Sequence, residues 1–258
     1  MLTFSGKTAL VSGASAGMGA EFARALSKAG CNLVLVARRE DRLQALKKEL
    51  EELYHVKVDV IPADLSDIQG CEDLIRNIDK KGLSIDILIN NAGFGYEGDF
   101  ISHEKFKEMI GLNITSLTLL AKHFGSRMAR KKSGYILLTS SVGAFTPCPR
   151  IAVYDGTKAY VLLLGEALHH ELRKHKVVVT TLCPGATRTE FFTVTGQSLN
   201  PLVKMTLMSP ETVAIKALKG LAGGKSLVIP GLINKLTVWS LRFLPRALLA
   251  PVAGIVMS

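Results

Sequence analysis

A chain of 258 residues, 48% hydrophobic and 21% charged, has the makeup of a folded globular protein, with room for one large α/β domain or two small ones. Its net charge of +10 comes without an arginine-rich tract interleaved with aromatics, which argues against nucleic-acid binding; the excess sits late, with seven Lys or Arg from Phe191 to Ser258 against Glu211 alone. Four scattered cysteines, Cys31, Cys71, Cys148 and Cys183, support neither a metal site nor a disulfide framework, and an amino terminus without a basic-then-apolar leader points to a cytoplasmic protein.

Short apolar runs at Thr8 to Ser12, Asn32 to Ala37, Val56 to Val60, Ile85 to Asn90, Tyr135 to Ser140 and Val177 to Cys183 predict buried strands. Helical patterns lie between them at Met18 to Ala29, Glu40 to Leu53, Ile68 to Lys80, His103 to Arg130 and Ala152 to Lys174. This alternation predicts one α/β domain built on a doubly wound parallel sheet, covering residues 1–231. The pattern weakens after Pro184, and the mixed stretch of about 186–210 reads as a mobile cover. Ser209-Pro210-Glu211 is a helix start with a serine cap and proline in the first turn; Gly223-Gly224 ends that helix, and Ser226 to Ile229 makes a last strand, about seven in all. Residues 232–258 form an apolar, basic tail.

Chemistry concentrates in a few places. Tyr154 and Lys158, four apart, share one helix face, and Ser141 precedes the tyrosine by thirteen residues. An ammonium ~4 Å from a phenol at effective dielectric ~20 interacts by ~4 kcal/mol, which would move the phenol roughly three pKa units toward neutrality. Near the amino terminus, Gly13-Ala14-Ser15-Ala16-Gly17-Met18-Gly19 joins a predicted strand to a predicted helix, where small residues let a pyrophosphate approach the helix amino terminus.

Ser12 followed by Gly13, Gly17 and Gly19 resembles the glycine motif of the short-chain dehydrogenase/reductase family, with serine where threonine is usual. The resemblance runs from Lys7 to about Gly231. It takes in Asn90-Asn91-Ala92-Gly93, Asn113, the Ser141, Tyr154 and Lys158 set, and Pro184-Gly185 through Thr189. It implies a Rossmann-like fold, a homodimer or homotetramer, and hydride transfer between a nicotinamide and a carbonyl or alcohol. Tyr154 would then deliver the proton, Ser141 bond the same oxygen, Lys158 bias the phenol and grip the ribose, and Asn113 hold a water. The resemblance likewise implies cofactor contacts from Gly13, Ser15, Ala16, Gly17, Met18 and Gly19, from Asp64 and Leu65, from Asn91, Ala92 and Gly93, and from Pro184, Gly185, Thr187 and Thr189.

The second strand ends in Arg38-Arg39 where an acid would pair with a ribose hydroxyl, so NADP(H) is expected over NAD(H). In such a fold Phe94, Tyr96, Val142, Ala144 and Phe145, with Phe191 and Phe192 of the cover, would surround the reacting carbon and favour an apolar ketone, aldehyde or acyl chain. A 3-oxoacyl-thioester reductase docking an acidic carrier on Lys131, Lys132, Arg173 and Lys174 is a second reading; a non-catalytic NADP(H) redox sensor is a third. In the tail, Leu232, Leu236, Trp239 and Phe243 recur at helical spacing among Lys235, Arg242 and Arg246. That pattern suits a membrane surface or a partner subunit equally.

Overall fold

The computed structural model describes residues 4–102, 104–190 and 206–257. Strands β1 (Thr8–Ser12), β2 (Asn32–Ala37), β3 (Val58–Pro62), β4 (Ile87–Asn90), β5 (Gly134–Thr139), β6 (Val177–Leu182) and β7 (Leu227–Val228) form one parallel sheet in the order β3-β2-β1-β4-β5-β6-β7. The chain leaves β1 in one direction and returns at β4 on its other side, which opens a crevice at the carboxyl ends of those two strands.

The helices are α1 (Gly17–Lys28), α2 (Glu40–Tyr54), α3 (Ile68–Lys80), α4 (Phe106–Ile110), α5 (Leu117–Lys131), α6 (Ala152–Arg173), α7 (Pro210–Ala222), α8 (Leu232–Ser240) and α9 (Arg246–Met257). Alternate residues of each strand face opposite layers. Leu33 and Leu35 of β2 join Phe22 and Leu26 of α1, Leu43 of α2 and Leu218 of α7 in one core. Val34 and Val36 join Leu74 of α3, Leu120 and Phe124 of α5 and Val161 of α6 in the other. Continuous apolar strands are what burial on both faces demands. The helix start expected at Ser209 is present: its hydroxyl accepts from the Thr212 amide at 3.2 Å, with Pro210 in the first turn.

Three boundaries differ from expectation. The third strand begins two residues later than its apolar run, because His55 adopts a left-handed conformation (φ 55°) to end α2, and Val56 and Lys57 are used to approach the sheet. The seventh strand is trimmed to Leu227–Val228. The long helix expected over 103–130 is α4 and α5 separated by a wide π turn at Gly111–Ser116. There Gly111 lies so close to the chain that an added Cβ would stand 2.4 Å from the Ser66 carbonyl oxygen, and Ser116 donates to the Leu65 carbonyl at 2.6 Å. The widened turn buries Asn113. Of the expected cover, residues 191–205, including Phe191 and Phe192, lie outside the described residues.

Candidate active site

The glycine turn closes the carboxyl end of β1. Gly13 has φ +70°, and an added Cβ at Gly19 would stand 2.0 Å from the Gly13 carbonyl oxygen, so a side chain at either position would prise the turn open. Ser12 explains the serine-for-threonine departure. Its hydroxyl accepts from the Asn91 and Ala92 amides at 2.9 and 3.0 Å, while Asn91 Nδ2 donates to the Ser12 carbonyl at 3.2 Å. These bonds lock the glycine turn to Asn91, Ala92 and Gly93 across the switch point. Ala16, at the amino end of α1, supplies no side-chain cap, so the first-turn amides of α1 are left without one. A close-approach cradle beside uncapped amides fits a pyrophosphate.

Asn90 anchors β4 by donating to the Leu117 carbonyl at 2.8 Å. The buried Asn113 donates to the Phe94 carbonyl (2.9 Å) and to Thr157 Oγ1 (3.0 Å), and accepts from the Phe94 amide (3.2 Å). Its side chain is a clamp between the loop after β4 and α6, committed to protein partners. Both amide hydrogens are used in this clamp, and Oδ1 accepts from the Phe94 amide.

Ser141 follows β5 and caps a single 3-10 turn, Val142–Phe145, with its hydroxyl accepting from the Gly143 amide at 3.1 Å. The Ser141 hydroxyl also hydrogen-bonds the Tyr154 phenol. Lys158 is buried, its ammonium donating to the Thr139 carbonyl at 2.9 Å and standing 5.6 Å from the centre of the Tyr154 ring. Thus α6 brings both side chains to the end of β5, as the four-residue spacing predicts.

The electrostatics reverse the sequence expectation. Tyr154 is partly exposed as a residue, but its hydroxyl is crowded by protein, and that desolvation pushes its pKa above the ordinary phenol value, outweighing the Ser141 bond that lowers it. Burial pulls Lys158 down to about 8. The ion–phenol attraction counts only the pair, whereas desolvation here disfavours both charged forms. The phenol therefore stays protonated at neutral pH, the state required of an acid. Asp155, beside it, is buried and pushed up to about 8, and neither of its oxygens has a hydrogen-bond partner of good geometry.

At the adenosine end, Arg39 donates from Nε and Nη2 to Ser15 Oγ (3.3 and 3.2 Å) and from Nη1 to Glu190 (3.0 Å). Arg42, one turn along α2, donates to the other oxygen of Glu190 at 2.8 Å. Arg38 is 73% exposed and only 4.0 Å from Asp64. Asp64 accepts from the amide and hydroxyl of Ser66, and those bonds hold its carboxyl below the usual range despite partial burial. The cap of α3 is Asp67. Leu65 places its side chain in the core, and its carbonyl accepts from Ser116. Arg42 had a legible signal, one helical turn beyond two arginines; Glu190 had none.

After β6, the Pro184 carbonyl accepts from the Val142 amide at 3.0 Å, which ties this segment to the Ser141 turn. Thr187 is buried and donates to the Gly185 carbonyl at 3.0 Å. Thr189 lies over Gly17, its methyl 3.0 Å from where a Cβ would stand. Asn234 of α8 fits against Gly185 and donates to the Pro230 carbonyl at 2.7 Å. Phe94, Val142 and Phe145 are each half-buried beside the Ser141 turn and the Asn113 clamp.

A parallel sheet with a hydroxyl, a phenol and an ammonium gathered beside its switch-point crevice is the architecture of dinucleotide-dependent oxidoreductases. Residues 7–199 match the short chain dehydrogenase family model, and the chain belongs to that family. It is 33% identical over 187 residues to the very-long-chain 3-oxoacyl-CoA reductase-A of Danio rerio, covering 69% of this chain and 57% of that protein. Its fold is similar to a short-chain dehydrogenase from Sphingobium yanoikuyae in complex with NADPH (TM-score 0.82, 32% identity, 91% of this chain and 92% of that one). It is also similar to the bulky-bulky ketone specific alcohol dehydrogenase from Comamonas testosteroni (TM-score 0.77, 31% identity, 93% and 96%).

Proposed function

We propose that the protein is an NADP(H)-dependent oxidoreductase acting on the carbonyl or alcohol of an apolar, lipid-like ketone or aldehyde. The observation that carries this reading is the convergence of Ser141 and Lys158 on the protonated phenol of Tyr154. When bound, the nicotinamide supplies or takes up the hydride. In the reductive direction Tyr154 gives its proton to the carbonyl oxygen and Ser141 hydrogen-bonds that oxygen as charge builds on it. Lys158, fixed by the Thr139 carbonyl, sets the field at the phenol and would hold the nicotinamide ribose when the cofactor is bound. Arg39 and Ser15, which already touch, would hold a 2′-phosphate, and the exposed Arg38 would add charge from the rim.

Support for the cofactor comes from the arginines at the end of β2 and from likeness to the Sphingobium protein, solved with NADPH. Support for a bulky apolar substrate comes from Phe94, Val142 and Phe145 and from likeness to the Comamonas enzyme. The test is a panel of apolar ketones, aldehydes and 3-oxoacyl thioesters followed by NADPH absorbance. We expect turnover with apolar ketones at kcat/KM roughly tenfold or more above that with NADH, the worth of one good phosphate contact. Equal use of NADH, or no turnover across the panel, overturns the reading.

A 3-oxoacyl thioester is the second reading, favoured by likeness to the Danio rerio reductase. In the docking face of that reading, Lys131 is paired with Asp86, while its side chain remains 54% exposed.

Among the described residues no helix is long and apolar enough to cross a membrane. Yet Leu232, Trp239 and Phe243 are 72%, 57% and 69% exposed, with Trp239 packed edge-to-face on Phe243 and Lys235, Arg242 and Arg246 close by in sequence. This segment, 232–258, is proposed as a peripheral contact with an anionic bilayer surface, in a protein that assembles as a homodimer or homotetramer. Co-sedimentation with phosphatidylglycerol vesicles is expected, lost in high salt and in the W239A/F243A double variant. If instead nothing sediments and the variant lowers the mass in solution, the face is a subunit interface.

A further inference from the structure

Arg39 and Arg42 share Glu190 although the carboxylate comes from the far side of the sheet, 151 and 148 residues later in the chain. Each carboxylate oxygen accepts from one guanidinium, and Arg39 also donates from Nε and Nη2 to Ser15 of the glycine turn. Glu190 borders the same open cleft as Ser15, Ala16 and Gly17. It follows directly on Thr189, which rests on Gly17. A carboxylate thus sits on Nη1 of the same guanidinium whose Nε and Nη2 hold Ser15, beside the place where an anion bound at Ser15 would meet it. Its own carboxyl is held below the usual range by the bonds from Arg42 and Arg39.

We propose that Glu190 is a specificity-determining residue: an internal anion that competes with a nucleotide 2′-phosphate for Arg39, so that phosphorylated and unphosphorylated riboses are sorted by whether they displace it. The inference rests on the NADP(H) reading above. All three side chains are roughly half exposed, and ion pairs in such positions exchange readily. A phosphate dianion brings more charge and three acceptor oxygens, so it displaces a single carboxylate. A bare ribose hydroxyl brings no charge and leaves Glu190 in place.

The probes are 2′,5′-ADP and 5′-AMP, titrated calorimetrically into the wild type, E190Q and R39Q. Removing the competitor in E190Q is expected to tighten 2′,5′-ADP by roughly 5- to 20-fold, in the lower range of couplings between sites, while 5′-AMP shifts less than about twofold. R39Q is expected to weaken 2′,5′-ADP alone. If wild type and R39Q behave so but E190Q tightens neither probe, or both equally, Glu190 is an ordinary surface partner and the proposal falls while the cofactor reading stands. If the wild type does not prefer 2′,5′-ADP and R39Q changes nothing, both fall.

Discussion

Replacing Tyr154 with phenylalanine is expected to lower kcat by about 10³-fold, within the span usual for losing a general acid. Nucleotide affinity should stay within about twofold, because the ring keeps its place and Lys158 keeps its bond to the Thr139 carbonyl. The loss is specific to the hydroxyl, since phenylalanine fills the same space. Burial holds Lys158 near 8, so the ammonium beside the phenol is lost as pH rises through that value. Reductive turnover should accordingly fall above about pH 8 in the wild type, and the residual rate of Y154F should be flat there. A Y154F variant retaining a tenth or more of wild-type kcat would remove Tyr154 from the chemistry.

Asp155 carries the second large effect, on stability. Its folded pKa of about 8 lies above the ordinary aspartate value, because burial penalises the carboxylate and the Cys148 amide gives only partial relief. Between those two values the folded chain holds a proton that the unfolded chain has released, so the unfolded state binds fewer protons and stability falls as pH rises. The loss begins near pH 4, is complete near pH 8, and is on the order of 2 to 5 kcal/mol, the upper figure assuming no relaxation around the charge. Asparagine cannot titrate. Thermal unfolding of D155N is therefore expected to lose most of the decline that the wild type shows between pH 5 and pH 8.5. Any constant cost of the amide cancels in that comparison. Parallel declines in the two proteins would show that the charge is compensated. An alkaline activity limb that persists in D155N belongs to Lys158.

The sheet was legible because parallel strands buried on both faces read as plain apolar runs, and the Asn32 to Ala37 and Val177 to Cys183 runs match β2 and β6 to within a residue. Tyr154, Lys158 and the glycine turn were legible because their geometry is local: four residues on one helix, three glycines in one turn. The π turn at Gly111 was not, since it follows from close approach to Ser66, a contact between distant segments. Nor was the direction of the Tyr154 shift, because desolvation is a property of surroundings and not of spacing. Glu190 met Arg39 and Arg42 only once the sheet had brought the ends of β2 and β6 to one edge. The arginine pair stands in plain view at the end of the second strand, but the acidic counterpart of Arg39 carries no periodic or motif signal.

Asn234 gives α8 an inward duty opposite its exposed apolar side chains. With its amide wedged at Gly185 and bonded to the Pro230 carbonyl, the first turn of that helix acts as a bookend for the shelf on which Thr187 and Thr189 sit. Whatever leans on the outer side, lipid or neighbour, leans through Asn234 on that shelf. Amputating the last helices would slacken that shelf as well as strip the greasy exterior, so the two roles are separable by exchanging outward side chains and not by shortening the chain.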